Sequence, residues 1–154
     1  MTGRSIGTVD LPGSVVDAGF KTMQRVHRAV LSLSGGRVAT FVFGMPVVEL
    51  HTVGRRSGLP RTTMLTTPVL DGDRTVLVAS RGGDRRHPDW YRNLVAHPDA
   101  ELVVGGERRP VRARTATADE KAELWPRVVA AYRGYARYQS RTARDIPIVI
   151  CEPR

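Results

Sequence analysis

The sequence predicts one α+β domain in which a mainly antiparallel, barrel-like sheet of about six strands packs with about three or four helices. From Phe41 onward the chain consists of short β-like runs separated by Gly, Pro and Asp. Tight turns join most of these runs, and strands joined in this way pair antiparallel because parallel strands need long crossovers. The length of 154 residues suits one domain, and 41% hydrophobic with 25% charged residues is an ordinary globular composition.

Within that single domain we assign residues 1–40 to a tail and an amphipathic helix, and residues 41–154 to the barrel. Residues 1–13 are predicted to be an unstructured tail, and Ser14 is expected to cap a helix over about residues 15–33. Apolar residues recur along this helix at helical spacing, and basic residues fall largely on the other side. Such a helix packs on its own domain or lies on an anionic membrane, and both interpretations stay open.

The first strands of the barrel follow from alternating apolar runs and turn residues. Residues 47–53 are predicted as a strand, and the loop at residues 54–58 connects it to a strand over residues 62–70. The turn Asp71-Gly72-Asp73 then leads into a strand over residues 75–80.

The second half of the barrel region adds helices, a hairpin and a last strand. Thr117 with Glu120 fits a capping box, and Pro126 is expected to kink the helix that follows or to restart it near Trp125. In chain order the predicted elements are a helix from His87-Pro88-Asp89 to His97-Pro98, a hairpin of residues 101–104 and 108–114 around Gly105-Gly106, a helix from Thr117 toward Tyr132, a helical piece over residues 135–142, and a buried strand over residues 146–151.

Composition excludes several classes of protein. Cys151 is the one cysteine, which excludes an intrachain disulfide framework and a cysteine-based metal cage. No apolar run reaches about 18 residues, and the N-terminus lacks the apolar core of a secretory signal. We therefore expect a soluble cytoplasmic protein, peripheral at the inner face of the cell membrane if the helix at residues 15–33 binds there.

The net charge of +9 indicates an anionic partner without identifying it. The basic residues are almost all arginines, and several stand in pairs near glycines: Arg55-Arg56, Arg85-Arg86 and Arg108-Arg109. Nucleic acid, an anionic membrane surface and a small polyanion all fit this charge. Because no zinc-finger pattern, RNA-binding aromatic signature or helix-turn-helix accompanies it, we predict no nucleic-acid partner.

Common catalytic motifs are missing from the chain. The four histidines lack close metal-ligand spacing, and neither a serine-nucleophile elbow nor a Walker or Rossmann phosphate loop occurs. Glu49 and His51 fall on one side of a strand, where they form either an acid–base pair or, the favoured interpretation, a solvent-facing polar row. Cys151 is expected to be a small buried hydrophobe. If the chain is an enzyme, a cofactor is expected to supply its reactivity.

Anion-binding features concentrate in the loop Gly54-Arg55-Arg56-Ser57-Gly58-Leu59-Pro60-Arg61. Glycines let a backbone turn expose N–H groups, and arginines pair well with phosphate or carboxylate. The loop therefore suits an anionic tail, and an ordinary basic hairpin turn explains it equally well.

Two further clusters carry ring-binding chemistry. Ala79-Ser80-Arg81-Gly82-Gly83, followed by Trp90 and Asn93, permits close backbone approach to a ring or phosphate. Tyr132, Tyr135 and Tyr138 are spaced by three, which favours a shared helical face. That face either packs into the core or forms a pocket wall rich in phenols.

Taken in order, these clusters resemble the deazaflavin-dependent nitroreductase family, whose quinone- and nitroimidazole-reducing members are small split-β-barrel oxidoreductases that bind coenzyme F420, typically from actinobacteria. The resemblance covers residues 46–154, most of the chain. Its motifs here are Thr52-Val53-Gly54-Arg55-Arg56-Ser57-Gly58-Leu59-Pro60-Arg61, Val78-Ala79-Ser80-Arg81-Gly82-Gly83, His87-Pro88-Asp89-Trp90-Tyr91-Arg92-Asn93-Leu94 and Ile146-Pro147-Ile148-Val149-Ile150-Cys151-Glu152-Pro153.

The resemblance implies a split barrel of the FMN-binding type and a cofactor site on these residues. The phosphate and glutamyl tail of the cofactor is expected against Gly54, Arg55, Arg56, Ser57, Gly58, Arg61 and Thr62. The deazaflavin ring is expected against Ala79, Ser80, Arg81, Gly82 and Gly83, with Trp90 and Asn93 nearby. Tyr132, Tyr135 and Tyr138 are expected on the acceptor side of the ring, and Ser80 or one of these tyrosines is expected to orient the acceptor or relay a proton.

The implied enzyme is a reductase that transfers a hydride from reduced F420 to a quinone, nitroimidazole or enone. The same barrel holding FMN, and a non-catalytic carrier of the deazaflavin, are the alternatives. The strand after Arg61 departs from relatives, because it is one residue longer before Asp71-Gly72 and carries Met64, Thr66 and Thr67 where relatives often place proline and an aromatic residue. The oligomeric state is left open.

Overall fold

The computed structural model describes residues 41–154 together with Lys21. The predicted tail at residues 1–13 and, apart from Lys21, the predicted helix at residues 15–33 lie outside the described residues. The strands are β1 Phe41–Val42, β2 Met45–Val53, β3 Pro60–Thr66, β4 Val69–Asp71, β5 Arg74–Val78, β6 Asp99–Val104, β7 Glu107–Thr115 and β8 Ile148–Pro153. The helices are α1 Asp89–Ala96, α2 Ala118–Ala131 and α3 Gly134–Ser140, and a 3-10 turn lies at Arg81–Gly83.

All eight strands of the described chain belong to one antiparallel sheet, in the order β1-β2-β6-β7-β8-β5-β4, with β3 also paired to β2. Strands β3 and β4 therefore lie at opposite edges of the sheet, although only Thr67 and Pro68 separate them in the chain. Because such a short connection cannot cross a flat sheet, the sheet must curl until its edges meet. The predicted α+β split barrel is confirmed.

Thr67 joins the two edges of the curled sheet. Its backbone N–H donates to the Pro46 carbonyl of β2 over 2.9 Å. Its Oγ1 donates to the carbonyls of Val76, in β5, and Val69, over 2.8 and 3.0 Å. Pro68 has no N–H with which to continue a ladder. The predicted continuous strand over residues 62–70 is therefore wrong, because this buried corner divides it.

Other local predictions meet mixed outcomes. The capping box at Thr117 is confirmed, and so is the hairpin at Gly105-Gly106, where positive φ values of 59° and 85° match the twist of the flanking strands. Helix α2 continues through Pro126, so the expected restart near Trp125 is wrong. The described residues contain eight strands where about six were predicted. The short strand β1 was not predicted, and the corner at Thr67 divides one predicted strand into β3 and β4.

Two hydrophobic clusters lie on opposite faces of the sheet. Alternation along β5 directs Leu77 into the barrel interior, where Trp90 of α1 packs, and directs Val76 outward. The outer cluster packs β5 and β8 against α2 and α3. Cys151 lies fully buried in the interior, as predicted, and burial raises the pKa of its thiol to about 12.

The outer face of β2 and β3 combines polar side chains with the buried Met64. Its half-buried side chains include Glu49 and His51 of β2 and Thr62 and Thr66 of β3. No helix among the described residues is both long enough and apolar enough to span a membrane.

Candidate cofactor and acceptor site

The glycine-rich loop between β2 and β3 is a closed turn. Gly54 N–H donates to the Leu59 carbonyl, and Gly58 N–H donates to the Gly54 carbonyl, each over 2.8 Å. A Cβ at Gly54 would lie 2.6 Å from Ser57 Oγ, and Gly58 has a φ of 68°, so both positions favour glycine. Arg61 Nη2 donates to Ser57 Oγ over 3.4 Å and closes the mouth of the turn.

The three arginines of this loop have different environments. Arg56 and Arg61 are exposed, and they stand in the middle of the loop and at its end. Arg55 turns inward: its backbone N–H and its Nη1 donate to Asn93 Oδ1 over 3.1 and 3.2 Å, and its Nη2 donates to Asp89 Oδ1 over 3.2 Å. The structure thus joins two predicted site residues, Arg55 and Asn93, and their contact docks the loop on α1.

The two predicted site residues of α1 are both buried. Asn93 also donates from Nδ2 to Thr52 Oγ1 over 3.4 Å, so its amide is used within the protein. Trp90 packs in the barrel interior with Leu50 and Leu94. Asn93 therefore holds the loop, and Trp90 fills the barrel interior.

A chain of polar contacts crosses the outer face of β2 and β3. Thr62 Oγ1 lies 3.3 Å from His51 Nδ1, and His51 Nε2 lies 2.7 Å from Glu49 Oε1. The β2–β3 register pairs His51 directly with Thr62. Since all three side chains are half-buried and in contact, Glu49 and His51 form a pair and not the solvent-facing row that we favoured.

The second predicted cluster forms a strained turn at the end of β5. Ala79 is buried and donates its N–H to the Pro147 carbonyl over 2.9 Å, and the Ser80 carbonyl accepts from Gly83 N–H over 2.9 Å. Arg81, Gly82 and Gly83 all have positive φ, at 45°, 63° and 83°. A non-glycine residue with a positive φ is uncommon, and such residues concentrate at functional sites. The conformation of Arg81 therefore makes this turn a candidate functional site.

This turn packs directly on α3. A Cβ at Gly83 would lie 2.6 Å from the Tyr138 carbonyl oxygen and 3.0 Å from Arg141 Cβ. The close approach fixes the predicted ring-binding turn against the helix that carries two of the predicted tyrosines.

The three predicted tyrosines form a compact triangle. The ring centroid of Tyr132 lies 5.5 Å from that of Tyr135 and 6.2 Å from that of Tyr138, and the Tyr135 and Tyr138 centroids are 6.1 Å apart. Tyr135 is only 5% exposed, and its hydroxyl lies 3.2 Å from Thr66 Oγ1. Tyr132 and Tyr138 are half-buried. Tyr135 is therefore the anchored member, and the other two are partly exposed.

Tyr135 and Tyr138 have raised pKa values. Burial raises the pKa of Tyr135, an effect that the hydrogen bond with Thr66 only partly offsets. Burial, followed by a hydrogen bond with Tyr132, raises the pKa of Tyr138 to about 12. Both groups stay protonated near neutral pH, so each keeps an O–H that can donate a hydrogen bond.

Sequence reasoning missed an aromatic neighbour of this triangle. Phe43 stacks on Tyr132, with ring centroids 4.8 Å apart and planes inclined by 17°. Phe43 is 67% exposed and has a φ of 52° at the tip of the β1–β2 hairpin, beside Gly44. Its spacing to Tyr132 in the chain is too large for any local pattern to indicate the stack.

Strand β3 connects the arginine loop to the tyrosine triangle. It begins next to the loop and ends at Thr66, which contacts Tyr135. The five residue steps from Arg61 to Thr66 span about 17 Å at strand spacing. The strand thus has a cationic turn at one end and an aromatic cluster at the other. No group of three His, Cys, Asp or Glu side chains in residues 41–154 can hold a metal ion.

Comparison with known proteins gives a consistent family. The profile of the F420H(2)-dependent quinone reductase family matches residues 23–153. An F420H(2)-dependent quinone reductase of Mycobacterium tuberculosis strain H37Rv is 42% identical over 134 residues, which cover 84% of this chain and 89% of that protein.

Solved structures agree with this result. The structure of an F420-H2 dependent reductase is similar with a TM-score of 0.63 and 37% identity, over 69% of this chain and 93% of that one. A second structure, described as a domain-swapped dimer, has a TM-score of 0.67 and 33% identity, over 82% of this chain and 96% of that one. The chain therefore belongs to the F420H(2)-dependent quinone reductase family, a family of oxidoreductases whose cofactor is coenzyme F420.

Proposed function

We propose that this chain reduces an electron-poor acceptor, a quinone first and a nitroimidazole or enone next, with reduced coenzyme F420 bound along β3. The observation that carries the proposal is the two-ended site: a cationic glycine turn at one end of β3 and a cluster of protonated phenols at the other. When bound, the reduced deazaflavin supplies the hydride equivalent, and the protein supplies binding, orientation and exclusion of water.

The anionic tail is assigned to the outward-facing side of the arginine loop. Arg56 and Arg61 are exposed, and Ser57 adds a hydroxyl between them. Charge-assisted hydrogen bonds from guanidinium groups to phosphate or carboxylate are among the stronger polar contacts. Arg55 acts differently, since its guanidinium is paired with Asn93 and Asp89 and holds the loop on α1.

The ring is assigned to the strained turn at the end of β5. Ala79 and Ser80 are buried there, and Gly82 has no side chain, whereas the bare side of Gly83 is already filled by α3. A planar ring can approach such a surface closely. Arg81 stands in the same turn, with its Nε 3.6 Å from Asp84 Oδ2.

The acceptor is assigned to the open side of the tyrosine triangle. Tyr132 and Tyr138 offer flat, half-buried rings, and Phe43 extends this wall toward solvent. Reduction of a quinone needs a proton as well as the hydride, and water can supply that proton. Because the raised pKa keeps the phenol of Tyr138 protonated, its O–H can donate a hydrogen bond that orients the acceptor. Ser80 remains the alternative group for orienting the acceptor.

Binding of the coenzyme and turnover test the proposal separately. The purified protein is titrated with F420 and then with FMN while fluorescence is followed, and reduced F420 is next mixed with menadione and its reoxidation recorded. We expect F420 to bind in preference to FMN and menadione to accelerate reoxidation. Binding without any acceptor-dependent reoxidation would favour a carrier, and preference for FMN would contradict the assignment of the loop.

The arginine loop has its own test. Replacing Arg61 by alanine together with Arg56 should weaken F420 binding by roughly 1.5–3 kcal/mol for each charge-assisted bond lost. The double replacement of Arg108 and Arg109, an exposed and a half-buried arginine of β7, is the matched control for net charge. Equal affinities in the two double variants would show that the tail lies elsewhere.

We also propose that residues 15–33 bring the enzyme to a membrane when the acceptor is a lipid-soluble quinone. Support comes from the basic and apolar sides of this segment in the sequence. A variant that lacks residues 1–40 should lose binding to anionic liposomes and keep its F420 affinity. Unchanged liposome binding would assign the segment to packing on the domain.

A further inference from the structure

We propose that Arg144 is a positioning residue, which holds the turn at residues 80–84 in its strained conformation and thereby sets the affinity for the deazaflavin. The inference rests on the proposed function, because it assumes that this turn receives the ring. Arg144 belongs to none of the motifs that indicated the site, and it stands a few residues before β8.

One guanidinium group holds both ends of the turn. Arg144 Nη2 donates to the Ser80 carbonyl over 2.8 Å, and Nε donates to the Asp84 carbonyl over 2.8 Å. The third contact joins Nη1 to His87 Nδ1 over 3.3 Å. The planar fork of arginine suits this task, because its N–H groups point to separate acceptors in fixed directions. A lysine has a single nitrogen and lacks this fork, so it does not reproduce the geometry.

The turn needs such a restraint. Three successive residues, Arg81, Gly82 and Gly83, have left-handed φ values of 45°, 63° and 83°. Conformations of this kind persist where the surroundings determine them more than once. Two backbone hydrogen bonds lie within the turn: Gly83 N–H donates to the Ser80 carbonyl over 2.9 Å, and Asp84 N–H donates to the Arg81 carbonyl over 3.1 Å. Arg81 Nε also lies 3.6 Å from Asp84 Oδ2.

Arg144 is itself fixed from the other side. Gln139 Nε2 donates to the Arg144 carbonyl over 2.8 Å, and Gln139 Oε1 accepts from Ile146 N–H over 2.9 Å. Gln139 belongs to α3, the helix that carries Tyr135 and Tyr138. Arg144 therefore ties the ring-binding turn to the tyrosine helix, as Gly83 does by direct packing.

The state of His87 is consistent with this geometry. Its Nδ1 can accept from Arg144 only when the imidazole is neutral. Burial, followed by the charges of Arg144 and Arg92, lowers the pKa of His87 and favours that neutral form. Asp84 lies on the same turn, and its carboxylate is engaged by Arg86.

The test compares Arg144→Met and Arg144→Lys with Arg137→Met, a matched loss of an exposed arginine on α3. F420 affinity is measured by fluorescence titration, and amide hydrogen exchange is measured at Gly83 and Asp84 in the coenzyme-free protein. We expect Arg144→Met to raise the Kd roughly tenfold or more, as expected for lost hydrogen bonds to a charged group. Arg144→Lys should fall between this variant and the wild type, and Arg137→Met should match the wild type.

Amide exchange at Gly83 and Asp84 should be fastest in Arg144→Met, intermediate in Arg144→Lys and unchanged in Arg137→Met. The melting temperatures of Arg144→Lys and Arg137→Met should stay close together. An unchanged Kd with unchanged exchange in Arg144→Lys and Arg144→Met would overturn the proposal. If Arg144→Met does not fold, Arg144→Lys alone decides. Failure of the wild type to bind F420 would refute the proposed function, whereas equal affinities in wild type and variants would refute only the role of Arg144.

Discussion

Replacing Gly83 by alanine should disturb the site more than the same replacement at another left-handed glycine. Gly72, in the turn between β4 and β5, has a φ of 59° and no atom within 4 Å of an added Cβ. Gly72→Ala therefore costs only the left-handed conformation, about 1–2 kcal/mol. At Gly83 the φ is 83°, and the added Cβ would also lie 2.6 Å from the Tyr138 carbonyl oxygen. Relieving that overlap adds roughly 1–3 kcal/mol.

The comparison of the two alanine variants isolates the packing of the turn on α3. Thermal and urea unfolding give their stabilities, and in a chain of this size each kcal/mol shifts the melting temperature by roughly 2–4 °C. Gly83→Ala should melt several degrees below Gly72→Ala and should bind F420 more weakly, because either the turn or α3 must move. Similar melting temperatures and F420 affinities in both variants would mean that the turn does not depend on contact with α3.

Three further outcomes test other parts of the structure. Thr67→Val removes the hydroxyl that donates to Val76 and Val69 and should destabilise the protein by about 1–3 kcal/mol in urea unfolding, whereas Thr67→Ser, which keeps the hydroxyl, should lose less. Tyr135→Phe should change menadione turnover more than F420 affinity, and equal losses of both would remove Tyr135 from the acceptor side. The pKa of His87 is lower in the folded protein than its ordinary value of 6.5, so the unfolded chain takes up the proton first. The free energy of unfolding should therefore decrease as the pH falls below 6.5 and on through the pKa of His87 in the folded protein. His87→Gln should reduce the dependence of the unfolding free energy on pH, measured by urea unfolding at several pH values. A dependence equal to that of the wild type would show that His87 is not its source.

The sequence predicted those features that depend on residues close together in the chain. The hairpin at Gly105-Gly106 and the capping box at Thr117 carry local signals, and both are confirmed. The corner at Thr67 was missed because its partners, Pro46 and Val76, lie in strands whose approach depends on the closure of the sheet. No local pattern contains that information.

The candidate site shows the same division. The ordered motifs indicated the arginine loop, the turn after β5 and the tyrosines, because glycines and side-chain chemistry are visible in sequence. The inward direction of Arg55 and the clamp by Arg144 depend on long-range contacts, to Asn93 in one case and to Ser80 and Asp84 in the other. An arginine looks the same in sequence whether it faces a ligand or a carbonyl of its own chain.

The length of β3 sets the distance between the arginine loop and the tyrosine triangle. The resemblance places one additional residue between Arg61 and Asp71, which would displace the tyrosine end from the arginine end if it lay within the strand. The ladder between β2 and β3 is regular from Val53 paired with Pro60 to Val47 paired with Thr66, with no bulge. Strand β3 therefore runs without interruption to Thr66, and the chain turns only at the corner where the sheet closes. The regular strand fixes the spacing between the cationic turn and the tyrosine triangle, and at its far end Thr66 contacts the hydroxyl of Tyr135.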